Sequence, residues 1–462
     1  MIRRAQYLVT TALAAFLAAG VGARSALAET FAVSPTTGDL QAILDAAADG
    51  DEVRLSAGTY HGPLRISHRV ILSGAADAVV AGSGKGSVVT ISAPGAILRG
   101  LDIRGSGRLL ETMDSGVFVE QSARGAIVED NRIEDNLFGI YLHGAPDSIA
   151  RHNTVTGLRQ VRMSEAGNGV TVWNAPGAKV VDNDFSYGRD GIFAITSRDN
   201  TFSGNRFRDL RFAIHYMYAN NGKIIGNVSK DNIIGYALMF SKNLVVRDNV
   251  SDHDRDRGIL FNATDGSDIS GNRVLGGPQP SERWATADNR ATDEGVPQTV
   301  AGSSEAARNE RIGPEKCVFI YNTNKNRIDG NWFERCEIGV HFTAGSEGNE
   351  ITGNAFVNNA NQVKYVGTRH LDWSKGGRGN YWSDNPAFDL DGDGIADTAY
   401  RPNDLMDRVL WTAPAAKVLI NSPAVQVIRW AQAQFPALLP GGVIDSHPLM
   451  SPPKRRTAGG TP

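Results

Sequence analysis

The chain has 462 residues and a formal net charge of −3. That length is too great for one ordinary compact core but suits an elongated repeat domain, and the near-neutral balance leaves no basic footprint for nucleic acid. Glycine is abundant at 51 residues, Asn is also frequent, and a hydrophobic content of 41% is ordinary for a water-soluble protein.

Residues 1–28 read as an export signal. Arg3 and Arg4 form the charged start, residues 8–20 are apolar, and Ala26-Leu27-Ala28 fits a small-x-small cleavage site before Glu29. The apolar run is short for a membrane span. Cleavage removes three arginines and takes the formal charge from −3 to −6. No later stretch is apolar enough to cross a bilayer, so the mature chain is expected outside the cytoplasm.

Residues 37–48 are patterned as a short amphipathic helix, with Leu40, Ile43, Leu44 and Ala47 on one face and Thr36 and Asp39 as a capping pair. A helix here can cover the open end of a stacked sheet, which would otherwise expose unpaired backbone groups. Less regular strand signals follow at residues 53–55, 70–72, 88–91 and 97–103.

From Gly116 the chain repeats. One row runs Asn131, Asn153, Asn183, Asn205, Asn227, Asn249, Asn272, Asn331 and Asn354; most steps are 22 or 23 residues. A second row runs Gly139, Gly169, Gly191, Ala213, Gly235, Gly258, Cys317 and Gly339. Two short insertions fall at residues 109–115 and 158–168, and a long polar one at 277–314. This period, with Asn at a turn and short β-rich strands, predicts an all-β, right-handed parallel β-helix with coils of about 22 residues. The Asn row is read as structural, either an internal amide ladder or a left-handed turn position. Cys317 and Cys336 could sit on neighbouring coils, as a disulfide or as two buried thiols.

Strand alternation sorts side chains into columns. One and three residues after the Gly row the columns are apolar, with Ile214, Tyr216, Tyr236 and Leu238 among them, and form the core. Two and four residues after it the side chains face out. These outer columns include Tyr141, Thr171, Phe193, His215, Ala237 and His341, then His143, Trp173, Met217, Met239 and Tyr321. They carry no carboxylate and form an unusually apolar strip, as expected where a partner or covering segment sits. Met217 falls over Met239, one coil apart, with His215 on the same strand. Thioethers plus imidazole are what a Cu(I) site needs. His143 in the Met column and Met163 in the neighbouring insertion are further candidate ligands, as is Met113. The alternative is plain packing of Met217 and Met239 under a loop or partner.

After Asp372 the repeat stops. Asp389, Asp391, Asp393 and Asp397 occupy positions 1, 3, 5 and 9 of a calcium-type loop with Gly394 at 6, but Tyr400 replaces the closing Glu at 12. Calcium binding and a self-capped Asp/Gly turn both fit. Helix signals at 414–421 and 422–434 suggest a helical tail that closes the solenoid or docks on a membrane partner. The expected layout is a signal at 1–28, a β-helix at 29–375 and an acidic loop plus helical segment at 376–462.

Four pieces carry a family likeness: LQAILDAAADGDEVRLSAGTYHG, the Asn/Gly coils, GNYWSDNPAFDLDGDGIADTAYRPNDL, and NSPAVQVIRWAQAQFP with DSHPLM. Together they resemble the NosD family of periplasmic β-helix maturation factors for nitrous oxide reductase. The resemblance implies a periplasmic, non-enzymatic protein that helps assemble the reductase's copper–sulfur centre. It implies as partners an ABC-type membrane subunit with a cytoplasmic ATPase, a copper chaperone lipoprotein and the apo-reductase, with membrane attachment through the permease. It assigns no copper ligands. The competing class is a carbohydrate-active β-helix enzyme (lyase, hydrolase or epimerase), which needs carboxylates on an outer groove.

Overall fold

The computed structural model describes residues 28–75, 77–280, 311–343, 345–402, 409, 419, 422–434 and 441–454. The signal segment, the centre of the long insertion and the helix expected at 414–421 lie outside the described residues. Short strands wind into a parallel β-helix of about 14 turns. Its three faces are sheets of 13, 12 and 13 strands, running from Thr30–Val33 to Tyr381–Trp382. Every step within these sheets is parallel and joins one coil to the next.

The Asn row is an amide ladder. Each Asn side-chain oxygen accepts from both the backbone N and the Nδ2 of the Asn one coil earlier. Between Asn205 and Asn227 these distances are 3.1 and 3.0 Å. Each Nδ2 also donates to an inner-strand carbonyl, as Asn227 does to Phe202 O at 2.9 Å. The ladder therefore satisfies backbone groups that the tight corner takes out of sheet pairing. The left-handed position is the residue before each Asn, for example Asp182 at φ +54° and Asp248 at +55°. At the far end the ladder continues to Asn380, whose backbone N donates to the buried Asp445 carboxylate at 2.6 Å. Trp382 Nε1 donates to the same oxygen at 2.8 Å, closing the last rung.

The predicted inner columns are the core: Ile214, Tyr216, Tyr236 and Leu238 are fully buried. The amino-terminal helix is shorter than its pattern, Leu40–Ala46, because Asp39 is the N-cap and accepts from Gln41 N. It packs beside the end strand of the 12-stranded sheet. Gln41 Nε2 donates to Arg65 O at 3.0 Å and Arg65 N donates to Gln41 Oε1 at 2.8 Å. One side chain thus occupies the exposed edge of the first strand, Leu64–Ile66.

Cys317 and Cys336 form a disulfide with Cα atoms 5.6 Å apart. They close a single coil from its own start to the corner before the next, rather than tying neighbouring coils. The long insertion leaves and re-enters through an antiparallel pair, Gly277–Gln279 with Arg311–Gly313. A helix is present at Pro423–Gln434, with Val425 buried and Val427 and Trp430 exposed.

Candidate metal centre

The strands Phe212–Met217 and Ile234–Lys242 pair in the predicted register, with Met217 opposite Met239 and His215 opposite Ala237. Neighbouring positions lie about 4.8 Å apart along the solenoid, which places the two thioethers side by side on the outer face. Met217, Met239 and His215 are partly exposed, while Ile214, Tyr216 and Leu238 between them are fully buried.

His215 is braced from behind by two residues that column sorting missed. Its Nδ1–H donates to Asp190 Oδ2 at 3.2 Å. Arg211 donates to both Asp190 oxygens at 2.8 Å each. Burial pushes the Asp190 carboxyl up, but the His215 and Arg211 hydrogen bonds outweigh it and hold the group below the usual carboxylate range. An ionised Asp190 keeps the imidazole proton on Nδ1, so the Nε2 lone pair is the one available to a metal. Phe193 and Phe212 flank the imidazole, each with its centroid 4.9 Å away.

Asp190 escaped notice because alternation resets at the Gly row. A Cβ on Gly191 would lie 2.3 Å from the inner ring of Phe207 and 2.6 Å from Ala213 O. The glycine therefore faces inward, as does the next residue, Ile192. Two consecutive inward residues turn the preceding position outward, and Asp190 occupies it. A carboxylate immediately before a Gly-row residue is the signal that could have found it.

The outer strip is not uniformly open. Tyr141, Thr171 and Ala237, expected outside, are buried. Tyr141 joins Leu137 and Phe138 in a separate apolar cluster covered by Met113, Phe118 and Leu158. The two short insertions are thus the covering segments for the amino-terminal part of the strip. Tyr218 and Phe240, the residues after the two methionines, remain 52% and 41% exposed and stack at 4.9 Å.

The other proposed copper ligands are not drawn to this point. His143 is stacked between Phe118 at 5.5 Å and Trp173 at 4.5 Å. Trp173 and Ile195 occupy the two rungs between it and Met217, a separation of about 14 Å. Met163 lies in a 3₁₀ turn, Met163–Glu165, on the loop before Val170–Trp173. That strand is two rungs from the one carrying Met217.

In the acidic loop, Asp389, Asp391 and Asp393 bring carboxylate oxygens within 4.8 Å of one another. Asp389 accepts from Gly394 N and Gly392 N, which hold its carboxyl below the usual range. At Asp391 the hydrogen bond from Asp393 N acts downward, but the neighbouring Asp393 and Asp389 groups push its carboxyl up on balance. Asp397 accepts from Leu390 N at 2.9 Å, and its charge adds to the upward push on Asp391.

Fold and face together define a parallel β-helix that carries two methionines and a histidine on the outer face of one sheet. A family model described as "Periplasmic copper-binding protein (NosD)" matches residues 151–387. The "Probable ABC transporter binding protein NosD" of Stutzerimonas stutzeri is 40% identical over 87% of this chain and 87% of its own. Its namesake from Pseudomonas aeruginosa is 39% identical over 88% of this chain and 90% of its own. Among solved structures, the Dettilon tailspike protein gp208 superposes with a TM-score of 0.52 at 14% identity, over 73% of this chain and 68% of its own, a likeness of fold alone. The chain belongs to the NosD family. Among the described residues no helix is long and apolar enough to cross a membrane.

Proposed function

We propose that this chain is a non-enzymatic periplasmic assembly factor that carries Cu(I) as cargo toward the copper–sulfur centre of a nitrous oxide reductase. The observation that carries the reading is the juxtaposition of Met217 and Met239 beside an Asp190-braced His215 on one outer face. Two thioethers and an imidazole suit Cu(I), which prefers soft ligands. His215 Nε2, Met217 Sδ and Met239 Sδ are the donors; His143 and Met163 lie along the same strip as a second, more distant imidazole and thioether. The exposed Tyr218–Phe240 pair offers an apolar rim on which a copper-donating lipoprotein and the apo-reductase dock. The names of the relatives support attachment to an ABC-type membrane subunit, whose cytoplasmic ATPase supplies the energy.

Titration of the purified mature protein with Cu(I) against a chelator tests this. One equivalent should bind, with an X-ray absorption edge and fine structure showing two sulfur scatterers and one imidazole nitrogen. His215→Asn should remove the nitrogen shell and weaken binding by roughly 10- to 100-fold. A copper shell of oxygen and nitrogen only, or unchanged binding in the variant, would sink the ligand assignment.

The Asp389, Asp391 and Asp393 trio supplies the hard oxygen donors that calcium requires. We assign this loop a structural calcium, held without the closing Glu and therefore weakly, at about millimolar strength. Millimolar calcium is expected to raise the melting temperature of the wild type by a few degrees relative to chelator. Asp389→Asn with Asp391→Asn should abolish that difference, and an equal calcium response in both proteins would show the ion binds elsewhere.

A further inference from the structure

The helix Pro423–Gln434 lies outside the repeat and plays no part in the copper reading. Ser422 starts it: Val425 N donates to Ser422 Oγ at 3.4 Å, and Gln426 N donates to Ser422 O at 3.2 Å. A surface helix normally buries one apolar stripe and shows water a polar one. This helix departs from that pattern. Val425 is buried, and Ile428, three residues on, is half-buried. Val427 and Trp430 follow Val425 by two and five residues, which at about 100° per residue puts both on the opposite side of the helix. Each of them is 63% exposed. Leu419, on the turn that leads into the helix, is also exposed. The side away from Val425 is therefore apolar as well.

Charge selects what can cover that side. The stretch Pro423–Gln434 contains no Asp or Glu. Residues 399–462 hold seven Lys or Arg against three Asp and no Glu, a formal +4, whereas the mature chain as a whole is −6. An acidic solenoid thus ends in a basic, apolar segment, an asymmetry that points to a membrane surface. An apolar protein groove would account for Val427 and Trp430 but not for the basic excess. An anionic lipid surface matches both: the acyl boundary takes the apolar side chains, the headgroups take the cations, and the Trp430 indole suits the interface between them. At 12 residues the helix is about 18 Å long, too short to cross a bilayer and long enough to lie along one.

We propose that Pro423–Gln434 is an interfacial anchor that lays Val427 and Trp430 into the headgroup region of an anionic phospholipid membrane. The basic run Lys454, Arg455 and Arg456 adds electrostatic attraction to the same surface. So small an apolar contact binds weakly and reversibly, which suits a protein held at the membrane by more than one contact. The inference stands whether or not copper binds at the methionines.

Flotation of the full mature protein with lipid vesicles is the test. Vesicles of phosphatidylglycerol mixed with phosphatidylcholine should carry the protein. Pure phosphatidylcholine, or high salt, should lower its partition by about tenfold or more. Val427→Ser with Trp430→Ser should lower it by at least about tenfold; both side chains are exposed, so circular dichroism should not change. Lys454→Gln with Arg455→Gln and Arg456→Gln leaves the helix untouched and should cost roughly fivefold per charge removed. Amide exchange across residues 423–434 should slow when anionic vesicles are added. Equal flotation on neutral vesicles, or wild-type partition in the Val427/Trp430 variant, would overturn the proposal. So would binding only to vesicles that contain the ABC-type membrane subunit, or a concentration-dependent dimer that the same variant abolishes and vesicles leave intact.

Discussion

On the proposed assembly role, a chain in which Met217 and Met239 are both replaced by leucine is expected to fold normally and to leave the copper–sulfur centre of a nitrous oxide reductase unfilled. Leucine nearly conserves side-chain volume, and both sites are on the partly exposed outer face, so the stability change should stay below about 1.5 kcal/mol. What disappears is the pair of sulfur donors, which Cu(I) cannot replace with aliphatic carbon. One imidazole cannot retain the ion against cellular chelation. Co-expression with the apo-reductase, followed by copper quantitation and the visible spectrum of the isolated enzyme, gives the readout. Circular dichroism of the variant checks that the solenoid is intact. Full copper content in the reductase would show that the thioether pair only packs against a partner.

The second large effect is structural. Asn227→Ala should destabilise the solenoid by about 3–5 kcal/mol, because it strips Asn205 N and Nδ2 of their shared acceptor and Phe202 O of a donor in a fully buried corner. Asn221 sits one turn earlier in the same coil but is exposed, at φ +57°. Glycine adopts that conformation freely, so Asn221→Gly should cost under about 1 kcal/mol. The urea midpoints of the two variants should differ clearly, and equal midpoints would mean that the ladder adds little beyond its backbone pairing.

Much of this was legible in the chain. The 22-residue recurrence of Asn205, Asn227 and Asn249 announced the coil. The alternation after Ala213 and Gly235 sorted Ile214, Tyr216 and Leu238 inward, and it aligned Met217 with Met239. What alternation cannot see is a corner. The partner that fixes His215, Asp190, is 25 residues earlier, on the position where the Gly row reverses the facing of the strand. His143 shares the Met column but lies three rungs from Met217, as the repeat spacing implies. Met163 looked near because an insertion has no register at all.

The sequence by itself determined the repeat, the inner columns, the structural Asn row and the paired thioethers, since each depends only on local periodicity propagated along the chain. The tertiary structure alone decided which groups close the pattern. It paired Cys317 with Cys336 across one coil and laid Met113 and Leu158 over Tyr141. It brought Asp445 back 65 residues to finish the ladder at Asn380 and set Asp190 and Arg211 behind His215. Those choices rest on packing between segments that share no period, and there the energy of burying a charge or an amide selects the partner.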